Sequence, residues 1–304
     1  MFNVDFVFPY VNPNDKTWLK QYKYCTGQSY ESEARFRDFS LIKYIFRSID
    51  LYAPWINRVV LLVSSMDQVP EFLKKDYYKL QIVTHSEFIP GEYLPTFNSN
   101  TIEMFLPNLK LSEHFIYSND DFLFINPTEV TDFFSKNGVP YIYVTPKNNN
   151  VKENTFAACC KRSFDVVQNK SKRRLNLDQD YKYLRQLHSS ASPRLLSDCK
   201  LCFEHLNTEI LNSLTMFRDF NVNLNQYMYA YHTLLQGLAN PVTSSKMGIY
   251  TEAEKGEDHI IDSIVNGPTK MLCVNDTKAM TDSIRAKVIS TMEQKFPDKS
   301  SFEL

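Results

Sequence analysis

Asn119, Asp120 and Asp121 stand between two apolar runs, His114-Phe115-Ile116-Tyr117 (extended by Ser118) and Phe122-Leu123-Phe124. Adjacent carboxylates repel each other unless a cation or hydrogen-bond donors neutralise them. A short apolar run bounded by polar residues fits a core strand, and in open α/β sheets ligands gather beyond the carboxyl ends of such strands. The sharpest chemistry for this pair is a divalent ion on a substrate's phosphates. Magnesium takes one or two carboxylates and completes its shell with phosphate oxygens and water. A polar turn, with one Asp capping the next element, uses the same residues. Leu272-Cys273-Val274 runs into Asn275-Asp276-Thr277 and repeats the layout. Two such ends side by side would let Asp276 join Asp120 and Asp121 as metal ligands, with Asn119 and Asn275 beside the substrate.

Other residues could serve the same chemistry. Asp5 lies in a first strand, Phe2 to Val11, that ends in Asn12-Pro13-Asn14-Asp15, a turn where many nucleotide-sugar enzymes seat the base and ribose. Arg35, Arg37 and Arg47 offer planar forks for phosphate or carboxylate; a solvated helix start with ordinary ion pairs is the alternative. Asn98 and Ser99 precede a helix, where backbone N–H groups can meet an anion, and Asn100 with Glu103 suits a helix cap. His205, at the entrance to a helix over 206–217, is placed to act as a general base. Arg218 closes that helix and could bind phosphate or complement the helix dipole.

The elements that must carry these residues read as a parallel α/β sheet. Strands are expected at 2–11, 57–64, 80–85 and 114–117, with an amphipathic helix opening at Arg35 (Phe39, Ile42, Ile45, Phe46, Ile49) and another starting at Pro70. Residues 184–199 read as loop, Asn225 to Leu235 as an aromatic core helix, and 278–304 as a last amphipathic helix with a polar tail. Periodicity weakens between Phe133 and Arg194, so the core is expected in two parts, 1–130 and 201–304. A mainly helical insertion over 131–200 would then shape the acceptor side.

Composition excludes several classes. The chain has 304 residues, a formal net charge of -1 and 7 Gly. Nothing here calls for nucleic acid, and neither dinucleotide nor P-loop glycine motifs occur. Cys199-Lys-Leu-Cys202 has no second pair to complete a zinc site, so the six cysteines read as buried or idle thiols in a reducing cytosol. No signal peptide is visible, and no apolar stretch approaches the roughly 20 residues of a membrane span. The basic run Lys170 to Arg174 is either a solvated face or a contact for anionic lipid or a polyanionic acceptor.

Four separated segments resemble the four characteristic regions of the Stealth family of hexose-1-phosphoryl transferases. VDFVFPYVNPNDKTW (4–18) is similar to the first. RFRDFSLIKYIFRSIDLYAPWINRVVLLVS, with VPEFL, IVTHSEFIP, LPTFNSNTIE and LSEHFIYSNDDFLF, is similar to the long second. The stretch around FEHLNTEIL and FRDFNVNLNQYMYAYHTLLQG resembles the third, and LCVNDT (272–277) the fourth. The first region has Pro-Tyr where many members have Thr-Trp, and the third is the loosest match. Among bacterial capsule and cell-wall enzymes and the animal enzyme that starts the mannose-6-phosphate tag, the chain looks like the bacterial group.

The resemblance implies a glycosyltransferase-A-like core and transfer of a hexose- or N-acetylhexosamine-1-phosphate from a UDP-sugar to a lipid-linked or free oligosaccharide, releasing UMP. Mg2+ or Mn2+ is the expected cofactor, with Asp120, Asp121, His205 and Arg218 catalytic. The expected location is the cytoplasm, with peripheral contact at the inner membrane face and self-association left open. A metal-dependent glycosyltransferase would release UDP instead, and a glycan-binding module would show no turnover.

Overall fold

The computed structural model describes residues 2–27, 40–147, 151–171, 183–186, 191–243 and 246–304. Eleven strands and nine α-helices are defined among these residues. In chain order, β1 (Val4–Pro9) leads to α1 (Lys16–Thr26), α2 (Leu41–Tyr52), β2 (Arg58–Val63) and β3 (Leu80–Thr84). Then come α3 (Ser99–Met104), β4 (His114–Tyr117), β5 (Phe122–Phe124), β6 (Tyr141–Lys147) and α4 (Phe156–Lys170). β7 (Tyr183–Gln186), β8 (Ser192–Leu195), α5 (Leu196–His205), α6 (Asn207–Asn212) and α7 (Tyr227–Gln236) follow. The chain closes with β9 (Asn240–Val242), β10 (Gly248–Glu252), α8 (Glu257–Asn266), β11 (Met271–Asn275) and α9 (Asp282–Lys295).

The central sheet has the order β3-β2-β1-β4-β8. Its first four strands are parallel, and β8 runs antiparallel to β4. Both faces are covered, which is why these strands read as nearly continuous apolar runs. Phe6 and Phe8 of β1, with Val59 and Leu61 of β2, face a core built with α2, α9, β5 and β11. Val7, Val60, Leu62, Phe115 and Tyr117 face the opposite core, formed with α4, α5 and α7. The expected mostly parallel α/β architecture is the one observed.

Three local expectations change. The stretch after Pro70 is not helical. It makes turns, and its backbone pairs with the C-terminal tail, Lys74 N–H donating to the Phe302 carbonyl at 2.8 Å. Residues 192–195 are not loop: β8 is an edge strand, a position that tolerates Pro193, whose ring removes a ladder donor. The 131–200 segment holds β6, β7 and α4, and β8 at its end completes the central sheet.

Candidate functional site

The chain leaves the central sheet at the end of β4 and enters a second, three-stranded sheet (β10-β11-β5) at the start of β5. Ser118 through Asp121 form the crossing. Because β5 pairs antiparallel with β11, with Phe122 opposite Cys273, the start of one strand lies beside the end of the other. Val274 N–H donates to the Asp121 carbonyl at 2.9 Å. Asn119, Asp120 and Asp121 are thereby brought next to Asn275 and Asp276, and all five are half-buried.

Asp121 carries the clearest electrostatic signature. The Cys273 thiol donates to Oδ2 at 3.3 Å, while Oδ1 is sealed from solvent with no hydrogen-bond partner. Burial pushes this carboxyl up to about 6, and the Cys273 donor and the Arg218 guanidinium pull the other way. A buried carboxylate oxygen without a donor is costly and suits a cation. Among the described residues no three His, Cys, Asp or Glu side chains form a metal cage. The donor set therefore fits an oxygen-seeking ion that takes one or two carboxylates and draws its other ligands from phosphate and water, as Mg2+ does.

Arg218 reaches this acid from a separate segment. It lies not at a helix end, since α6 stops at Asn212, but in the irregular stretch that follows. Its Nη2 donates to Ser99 Oγ at 2.6 Å, and its guanidinium lies over the Phe220 ring. What fixes that stretch is Asn98. This fully buried side chain caps α3 through Asn100 N–H and donates to Thr101 Oγ1, to Thr215 and to Asn223 Oδ1. Asn98 was expected to touch substrate; its polar atoms are instead engaged within the fold, and it positions Ser99 and Arg218.

Glu103 was missed as a site residue. It does not close a capping box but points inward, accepting from Tyr117 Oη at 3.3 Å and from Gln226 N–H at 3.1 Å. Burial pushes its carboxyl up to about 7, opposed by the Gln226 N–H bond and the charges of Arg218 and Arg194. Arg194, itself fully buried, donates to the Gln226 side-chain oxygen. The available signal was position. Glu103 precedes Leu106 by three residues and so shares its apolar stripe.

Several expected residues lie elsewhere. Asp5 sits at the amino end of β1, and its oxygens are taken by Arg58 Nη2 (2.6 Å), Asn57 Nδ2 (3.0 Å) and Ser112 N–H (2.8 Å), so it is structural. Arg47 grips Glu303 and the Phe296 carbonyl rather than a ligand. Asn12 lies within the loop after β1, where the buried Gln68 side chain pins its backbone and Asp15. His205 is exposed at the end of α5 with its ring 6.0 Å from that of His232. No contact among the described residues joins it to Asp120, Asp121, Asp276 or Arg218. Arg35 and Arg37 lie outside the described residues, as do Lys172, Arg173 and Arg174. Cys199 and Cys202 are buried on α5, and burial pushes both thiols up.

A doubly covered, mostly parallel sheet, with acids at two strand ends and an arginine whose charge is felt by one of them, suits an α/β enzyme core for a phosphorylated ligand. Residues 35–142 match the profile of Stealth protein CR2, conserved region 2. The capsular polysaccharide phosphotransferase WcwK of Streptococcus pneumoniae is 30% identical over 100% of this chain and 98% of its own length. The exopolysaccharide phosphotransferase cps2G of Lactiplantibacillus plantarum is 29% identical, covering 99% of this chain and 96% of that protein. The receptor polysaccharide phosphotransferase WefC of Streptococcus oralis is 29% identical over the full length of both. The chain belongs to the Stealth family of polysaccharide phosphotransferases.

Proposed function

We propose that this chain transfers a hexose- or N-acetylhexosamine-1-phosphate from a UDP-sugar to a glycan hydroxyl, building a phosphodiester into a capsular or cell-wall polysaccharide. The observation that carries the reading is the approach of the Asp120-Asp121 segment to Asn275-Asp276 through the β5–β11 pairing, with Asp121 within the influence of the Arg218 charge. Mg2+ or Mn2+ held by Asp121 with Asp120 or Asp276 would neutralise the donor's diphosphate. Arg218, fixed by Ser99, places a guanidinium against the same charge. The acceptor oxygen bonds to the β-phosphorus as the bond to the oxygen bridging the two phosphorus atoms breaks; UMP departs with that electron pair and the hydroxyl proton passes to water. Such a transfer depends on positioning and charge neutralisation more than on a strong base. Glu103 lies behind the site, where burial favours its neutral form and the Arg218 charge opposes that.

The donor confines the reaction to the cytoplasm, with the acceptor at the inner face of the membrane when lipid-linked. Among the described residues no helix is long and apolar enough to cross a membrane. The deciding experiment is nucleotide product analysis with UDP-sugars, a divalent ion and an oligosaccharide acceptor. Acceptor-dependent UMP that is lost with Asp121→Asn supports the reading. UDP would make the protein a glycosyltransferase, and no nucleotide from any donor would favour glycan binding alone.

A further inference from the structure

Helix α1 follows directly from the carboxyl-end loop of β1. Its inner face is aromatic: Trp18 stacks on Tyr22 at 5.3 Å, and both rings meet Phe97 edge-on. Phe97 in turn stacks on Phe217 at 5.4 Å. These rings immediately precede Asn98-Ser99 and Arg218, so α1 is anchored to the two segments that hold the guanidinium. Its outer face is basic. Lys16, Lys20 and Lys23 follow an i, i+4, i+7 spacing that puts them on one side of the helix. All three are exposed, α1 contains no acid, and none of the three forms an ion pair with a described residue. Beside them Tyr24 is 90% exposed, an unusual position for a large ring. This local concentration of positive charge sits on a chain of net charge -1.

We propose that Lys16, Lys20, Lys23 and Tyr24 form a secondary subsite for a polyanionic acceptor, a glycan that already carries phosphodiesters. The inference rests on the phosphotransferase reading, since each transfer adds one negative charge to the product. The lysines meet those charges, and the Tyr24 ring offers an apolar face to a sugar. The subsite favours chains that have been extended once over chains that have not.

The test is direct binding, which needs no turnover. Poly(glycerol phosphate), a phosphodiester polymer, is titrated into wild type and the triple variant K16Q/K20Q/K23Q, with thermal melts checking the fold of each. Expected are binding that weakens with salt, about tenfold weaker binding in the triple variant at low ionic strength, and loss of the preference for a phosphodiester-bearing acceptor over its uncharged counterpart. Equal affinity in wild type and variant overturns the subsite, even if wild type releases UMP. Lysine-dependent binding without UMP from any donor keeps the surface and sinks the reaction. Tighter lysine-dependent binding to phosphatidylglycerol vesicles than to the polymer overturns the proposal in favour of a membrane contact.

Discussion

At the scale of single residues, Asp121 buries a carboxylate oxygen for which the described residues offer no donor. Asp121→Asn removes a buried charge while keeping the shape. It should abolish UMP release yet raise the stability of the metal-free protein at pH 7 by about 1–3 kcal/mol, read by chemical denaturation. The pH dependence has a definite sign. Burial raises both Asp121, to about 6, and Glu103, to about 7, so the fold favours their protonated forms. The stability they contribute is full below about pH 4 and is lost as pH rises through their folded values. Metal-free protein should therefore melt lower at pH 8 than at pH 5 through these groups. If the proposed metal site is right, added Mg2+ should narrow that gap by favouring the ionised carboxylate. His205→Ala should keep kcat within about threefold of wild type in UMP release, the size expected where no positioned base is lost; a fall of about a hundredfold would restore it as the base.

At the scale of elements, Asn98 is the joint between α3 and the Arg218 stretch. Asn98→Ala strands several buried partners and should cost about 3 kcal/mol in urea unfolding, lowering turnover through Arg218. Asn98→Asp should be worse than Ala, since it replaces the donating amide by an unpaired buried charge. Much of this level was legible in the sequence. The acid-bearing ends of β4 and β11 announce themselves as short apolar runs stopping at Asn-Asp; what brings them together, the antiparallel pairing of β5 with β11 in a second sheet, is a long-range contact that the sequence pattern does not show. The roles of Asn98, Asp5 and Glu103 were not legible. An amide or carboxylate in a polar stretch looks the same whether its partners are a ligand or a backbone over a hundred residues away. The missing helix after Pro70 has the same origin, because its competitor for hydrogen bonds is the chain's distant tail.

At the scale of the molecule, that tail is part of the core. Arg47 Nε and Nη2 grip both oxygens of Glu303 at 2.9 and 3.1 Å, and Phe302 packs on Phe46 and Tyr77. Glu303→Ala leaves a buried guanidinium half-satisfied and should cost about 3–5 kcal/mol, measured by chemical denaturation. The polar composition of KFPDKSSFEL hid this role, because only Phe296 and Phe302 in it signal burial. The tail also sets the order of events during synthesis. α2 leaves the ribosome early, but Phe302 and Glu303 emerge some 250 residues after it. Until then the helix exposes a ring and a guanidinium whose partners do not yet exist. A nascent chain stalled before residue 296 should be a holdase substrate and open to protease, however complete its central sheet.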